Sequence, residues 1–244
     1  MCLTAFRSGT HKVSNQDYNL EFKSFSTKFT LFRVYENGCL RLTNVSGVLT
    51  NDSYACANPS IISEGNLQID GGVYVNYVPD FDPTDTCPNV SVLINGGKAV
   101  INGGQFDASA CAVAVKGGNV TINGGKFGAW DEAVYIMGND TIVNIYGGKF
   151  DKTDTTNGWY QDYGVFCNGG VLNVYGGDFY GEISGLCGGD RAGSINIYDG
   201  YFRLRGTGDG DLDGAFSFSM SKTQVKIYNG TFNGSKLGNI FNLP

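Results

Sequence analysis

The chain has 244 residues, 41% hydrophobic and 13% aromatic, which is ample apolar material for a packed core. A formal net charge of −6 without a basic stripe disfavours nucleic acid and anionic membrane as partners. No apolar run is long enough for membrane insertion, and the single histidine, His11, leaves Ser-His and His-metal chemistries without their parts.

The opening residues, Met1 to Arg7, lack the charged and then apolar blocks of a secretory signal. The chain is therefore expected to be a piece of a longer protein, or to leave the cell by a route that needs no signal. Phe29 to Val34 reads as a strand, and Asn37 to Asn44 as a turn followed by alternation, so residues 1–64 are expected to form irregular first coils of the structure that follows.

From Ile69 onward a phrase recurs: apolar residues at alternating positions, Gly-Gly or a near equivalent, one variable residue, and an aromatic. Ile69-Asp70-Gly71-Gly72-Val73-Tyr74 is followed by Ile101-Asn102-Gly103-Gly104-Gln105-Phe106 and by copies ending at Phe127, Phe150, Phe179, Phe202 and Phe232. The alternation, as in Val143 and Ile145 against Asn144 and Tyr146, has the period of strands with one buried face. A second strand follows in most copies, at Ala112 to Val115, Ala133 to Ile136 and Gly164 to Cys167. Repeats that cannot bury their own apolar face must stack, and two or three short strands per repeat joined by Gly and Asn corners describe a parallel β-helix. The aromatics are expected to line up inside, and the 37 glycines to serve as corners.

The phrase and its architecture resemble the right-handed parallel β-helix proteins of the pectin-lyase-like group, which includes polysaccharide lyases, surface adhesins and phage tailspikes. The likeness covers roughly residues 65 to 234. It implies an all-β, single-stranded, right-handed solenoid of about eight coils, a rod on the order of 40 Å long at about 4.8 Å per coil. Residues 65–244 form its regular part, with a short C-terminal tail.

Aligned on the aromatics, the insertions fall just after them, so the loops are expected to stack along one side of the rod. They carry Trp130, Asp131 and Glu132, then Trp159, Tyr160 and Asp162, then Tyr180 and Glu182. Aromatic plates beside carboxylates suit the CH faces and hydroxyls of sugars. The same rings could instead fold back over Phe127 and Phe150. Asp131 or Glu132 facing Asp162 across adjacent coils could act as acid and nucleophile in glycoside hydrolysis, or be solvated loop carboxylates.

Asp209, Asp211 and Asp213 with Gly214 copy the opening of a calcium loop, but Met220 stands where the bidentate glutamate belongs, which excludes an EF-hand proper. Calcium, or a solvated acidic turn, is the reading there. Arg203 and Arg205 invite a lyase reading that the absence of a Trp-Ile-Asp-His phrase weakens. Of the seven cysteines, Cys167 falls at an inward position, and Cys187 aligns with the outward Met137 and Asn168. Buried free thiols are expected rather than a bridge between those two.

A ladder completes the reading. The residue before Gly-Gly runs Asp70, Asn102, Asn123, Tyr146, Tyr175, Tyr198, Tyr228, and four outward tyrosines exceed what sheet stability requires. They are expected to form a contact surface.

The function expected is a non-catalytic, extracellular or virion-associated β-helix that binds a polysaccharide or cell-surface glycan and self-associates in a fibre or spike. A homo-oligomer is expected, and a trimer by likeness to phage spikes. A polysaccharide lyase or glycoside hydrolase of the same fold is the alternative, and a structural spacer the third reading.

Overall fold

The computed structural model describes residues 2–6, 9–14, 21–24, 30–50, 58–77, 89–151, 162–181, 184–189, 193–204, 214–218, 223–234 and 241–242. Every regular element among them is a strand. One coil consists of Cys111–Val115, Gly118–Ile122 and Lys126–Gly128, and the next of Glu132–Ile136, Thr141–Ile145 and Lys149–Phe150. Each strand pairs in parallel with its counterparts one coil before and one coil after.

Three parallel sheets result, ten-, nine- and nine-stranded. The first runs from Cys2–Phe6 to Phe241–Asn242, the second from Gly9–Ser14 to Gln224–Ile227, and the third from Glu21–Ser24 to Thr231–Asn233. The fold is thus the all-β parallel β-helix expected. At least nine strands in every sheet make nine turns among the described residues, in keeping with the about eight coils expected; the strands at Cys2–Phe6, Gly9–Ser14 and Glu21–Ser24 form a coil whose phrase is too eroded to read.

The alternation does the folding. On the second sheet Val120 and Ile122 point inward and are fully buried, as are Val143 and Ile145, Leu172 and Val174, and Ile195 and Ile197. They meet inward residues of the first sheet, such as Val113 and Val115 or Val134 and Ile136, in one continuous core. Gly-Gly is a corner, not a strand end. After it the aromatic sits on its own strand in the third sheet, Phe106 opposite Phe127 and Phe127 opposite Phe150.

Inside, the rings stack face to face. Centroids are 5.3 Å apart for Tyr74 and Phe106, then 5.0, 4.9, 4.6, 4.8 and 4.9 Å along Phe127, Phe150, Phe179, Phe202 and Phe232. Tyr74 fits the column because its hydroxyl donates to the Gly71 carbonyl at 3.2 Å. From Tyr74 to Phe202 the column is buried, and Phe232 is half-buried.

Corner lengths decide what varies. The corner between second and third sheets keeps the same short form at Asn102–Gly104, Asn123–Gly125, Tyr146–Gly148 and Tyr175–Gly177. The connection from third to first sheet varies, short between Ala108 and Cys111 but long between Tyr77 and Val90, Phe150 and Tyr163, and Leu204 and Gly214. The long insertions therefore fall between the third and first sheets. The first-to-second corner varies too, which corrects the placement of Cys187: it lies opposite Phe166, with Gly188 opposite Cys167. Both thiols are free and buried, Cys167 in the core.

The corner imposes a sharp test. Gly104 has φ +115°, where a Cβ would lie 3.1 Å from the Gly72 carbonyl oxygen, whereas a Cβ on its neighbour Gly103 would meet nothing closer than 3.6 Å. Gly104→Ala should therefore cost about 1–3 kcal/mol, the range for residues forced into sparsely populated backbone conformations, and Gly103→Ala about 0.5 kcal/mol or less. Urea unfolding of the two variants checks the contrast.

Candidate functional site

On the outer face of the first sheet, Val90, Cys111, Glu132 and Tyr163 occupy successive rungs of one row. Leu93, Ala114, Tyr135, Phe166 and Cys187 form the next. The small side chains Ala110, Cys111 and Ala114 leave a hollow, and Trp130 fills it, packed with Val90 and flanked by Leu93, Tyr135 and Met137. Trp130 is only 7% exposed. It is thus neither the open sugar plate expected nor a lid on Phe127 and Phe150, but the centre of a second small core outside the sheet.

Beside Trp130 the structure brings the three expected carboxylates together. The Asp162 amide donates to the Trp130 carbonyl at 3.1 Å and the Tyr163 amide to that of Asp131 at 2.9 Å, so Asp131 and Asp162 stand on adjacent rungs. Glu132 follows Asp131 and accepts from the Cys111 thiol at 2.9 Å. Burial pushes Asp131 up to about 6. Burial also pushes Glu132 up to about 7, with the charges of Asp131 and Asp162 raising it against the Cys111 hydrogen bond. Groups so poised can donate as well as accept hydrogen bonds near neutral pH.

Three half-exposed rings adjoin this cluster. Phe166 lies 5.4 Å from Tyr135 and 5.2 Å from Tyr163, centroid to centroid. None was singled out in the sequence. The signal for Tyr135 and Phe166 was the outward place within Ala133 to Ile136 and Gly164 to Cys167, where an aromatic is exposed to solvent on one side; Tyr163 stands just ahead of the second range.

The second sheet carries the ladders. Asn123 donates to Asn102 and Asn102 to Asp70, each at 2.7 Å. Partial burial works against the Asp70 charge, but hydrogen bonds from Gln68, Asn102 and Arg41 together with the Arg41 charge bring its pKa down to about 2. In the neighbouring row Asn196 donates to Asn173 at 2.8 Å and Asn173 to Asn144 at 2.9 Å. Tyr146, Tyr175, Tyr198 and Tyr228 stack at 4.7, 4.7 and 4.9 Å with planes within 7° of parallel. Ring faces therefore cover one another, and the row shows solvent its edges and hydroxyls.

On the third sheet Arg203 is fully engaged. Its guanidinium holds Asp178 through contacts of 2.7, 2.7 and 3.0 Å and lies over Tyr180 at 4.6 Å and Tyr201 at 5.0 Å. This removes Arg203 as a free base for lyase chemistry, and it occupies a face of Tyr180 that the glycan reading required. Trp159, Tyr160, Glu182, Arg205, Asp209, Asp211 and Asp213 lie outside the described residues. Among the described residues no group of three or more His, Cys, Asp or Glu is arranged to hold a metal ion. No family model, curated protein or solved structure matches the chain.

The raised carboxyls have a signed consequence. Asp131 and Glu132 stay protonated in the folded chain at pH values where they ionise in the unfolded one, so their contribution to stability is full below about pH 4 and is lost as pH rises through about 6 to 7. Melting temperature should fall between about pH 5 and 8, and Glu132→Gln should recover on the order of 5 °C at pH 8. Thermal scans across that range check both.

Proposed function

We propose that this chain is a non-catalytic, pectin-lyase-like recognition rod displayed outside the cell or on a virion, which contacts glycan through the first-sheet patch. The observation that carries the reading is the pairing of half-exposed rings with carboxyls: Tyr135, Tyr163 and Phe166 meet at one place beside Asp131, Glu132 and Asp162. Aromatic rings accept the CH faces of sugars, and partly protonated carboxyls serve sugar hydroxyls as donors and acceptors alike. The long third-to-first connections precede first-sheet strands in the chain, and one of them carries Trp159 and Tyr160 shortly ahead of Asp162 in sequence.

One observation favours a second reading. A carboxyl at about 7 beside two others is what a general acid in glycoside hydrolysis requires. Asp131 and Asp162 rise from backbones about one strand spacing, ~4.8 Å, apart. Glu132 would be the acid, and an Asp the nucleophile.

A panel of bacterial capsular and plant polysaccharides separates the readings when both retention and chain length are measured. The recognition reading expects retention without shortening, weakened at least tenfold by Tyr163→Ala with Phe166→Ala, since losing two stacking rings removes more than 1.4 kcal/mol. Shortening abolished by Glu132→Gln would make the chain a hydrolase. Neither retention nor shortening would leave it a spacer.

A further inference from the structure

We infer that two copies of this chain pair face to face and antiparallel through the outer face of the second sheet, along the amide and tyrosine ladders. The starting observation is charge. On four successive strands, Gly118–Ile122, Thr141–Ile145, Gly170–Val174 and Gly193–Ile197, and at the residue that follows each, no outward side chain is charged. Ile142 lies open among them, 41% exposed. Depletion of charge with aromatic enrichment is the composition of interface cores.

The occupant follows from comparing the three faces. A face that meets its own copy meets its own charges. The first sheet would set Asp131 and Glu132 against themselves, and the third carries Lys126 and Lys149 on adjacent rungs. The second sheet is the face that brings no charge against its own copy over its centre. Like-on-like contact is isologous and requires a two-fold axis, so the pairing is a dimer rather than the trimer expected by likeness to phage spikes.

Register makes the face complementary to itself. The corner column changes halfway from acceptors, Asp70, Asn102 and Asn123, to phenols, Tyr146 through Tyr228. A two-fold axis along the Thr141–Ile145 strand reverses the order of rungs. Tyr175 then meets the partner's Asn123, Tyr198 the partner's Asn102, Tyr228 the partner's Asp70, and Lys226, in the adjacent row, the partner's Gln68. Those three phenols face an amide or carboxylate oxygen, Tyr146 on the axis meets its own copy, and the lysine stands diagonally beside the acid. Rings stacked within 7° of parallel present edges and hydroxyls spaced 4.7 to 4.9 Å apart, and another copy of the same rod has the matching repeat. Six strand spacings of about 4.8 Å by a strand length of about 17 Å outline roughly 500 Å², which side-chain relief brings toward the ~800 Å² per partner of a stable interface.

The pairing does not depend on whether the first-sheet patch binds sugar, so the tests are separate. Sedimentation velocity of the full chain at about 100 μM should give a dimer, at a concentration well above a micromolar Kd. Tyr175→Lys should give a folded monomer with wild-type circular dichroism, Lys226→Glu should weaken the dimer at least tenfold, and Lys126→Glu on the third sheet should leave it unchanged. Should Tyr175→Lys fail to fold, Ile142→Lys places the same charge at an exposed strand position of the same face. A wild-type monomer, a trimer, or a dimer indifferent to these second-sheet charges overturns the inference.

Discussion

Everything in this molecule depends on one constraint: each residue of the repeat sits directly above its counterpart one coil earlier, at the spacing of hydrogen-bonded strands. Parallel pairing in three sheets fixes that spacing, and the side chains accept it by repetition. Aromatic falls on aromatic inside, amide on amide outside. A phenylalanine column with centroids 4.6 to 5.0 Å apart from Phe106 to Phe232 is the packed consequence. Stacked pairs of this kind contribute about 0.5–1.5 kcal/mol each beyond their area burial. The Gly-Gly corner keeps the register, because a corner of constant length delivers each aromatic to the same depth.

The same constraint divides the outer surface into three chemically different faces. The first sheet follows the connection of variable length, and it gathers carboxyls and half-exposed rings around the buried Trp130. The second follows a shorter connection and is amide-rich and uncharged through its middle. The third is ionic: Lys149 bridges Asp151 at 3.3 Å and Arg203 grips Asp178. The proposed recognition of a ligand and the proposed pairing of copies thus fall on faces that do not compete, an arrangement a solenoid offers because its faces differ in outward residues.

How much of this could be read in advance follows from which features repeat. Alternation and Gly-Gly recur, so the strands, the inward aromatics and the position of the insertions were legible. Cys187 was set against Met137 and Asn168, where Gly189 belongs, because the first-to-second corner varies in length and alignment through its glycines slips. Trp130 was misread because sequence shows a tryptophan after an aromatic but not the hollow made by Ala110, Cys111 and Ala114 on the preceding coil. The carboxyl cluster was legible as a juxtaposition of Asp131, Glu132 and Asp162; its raised pKa values were not, since they arise from burial beside that tryptophan. For the tyrosines, position could be read but ring orientation could not. Stacking turns their faces toward each other, so the strip expected to be a contact surface offers a partner its edges and hydroxyls.

The in-register column is the claim on which the rest stands, and a double-mutant cycle addresses it directly. Phe127 and Phe150 are in contact at 4.9 Å, whereas Phe106 and Phe202 are separated by the three rings between them. Truncating each to Ala, alone and in pairs, and measuring unfolding free energy should yield a coupling of about 0.5–1.5 kcal/mol for Phe127 with Phe150, and no more than about 0.3–0.5 kcal/mol for Phe106 with Phe202. Additive effects for the adjacent pair, or equal coupling for both pairs, would contradict a column of rings stacked coil upon coil.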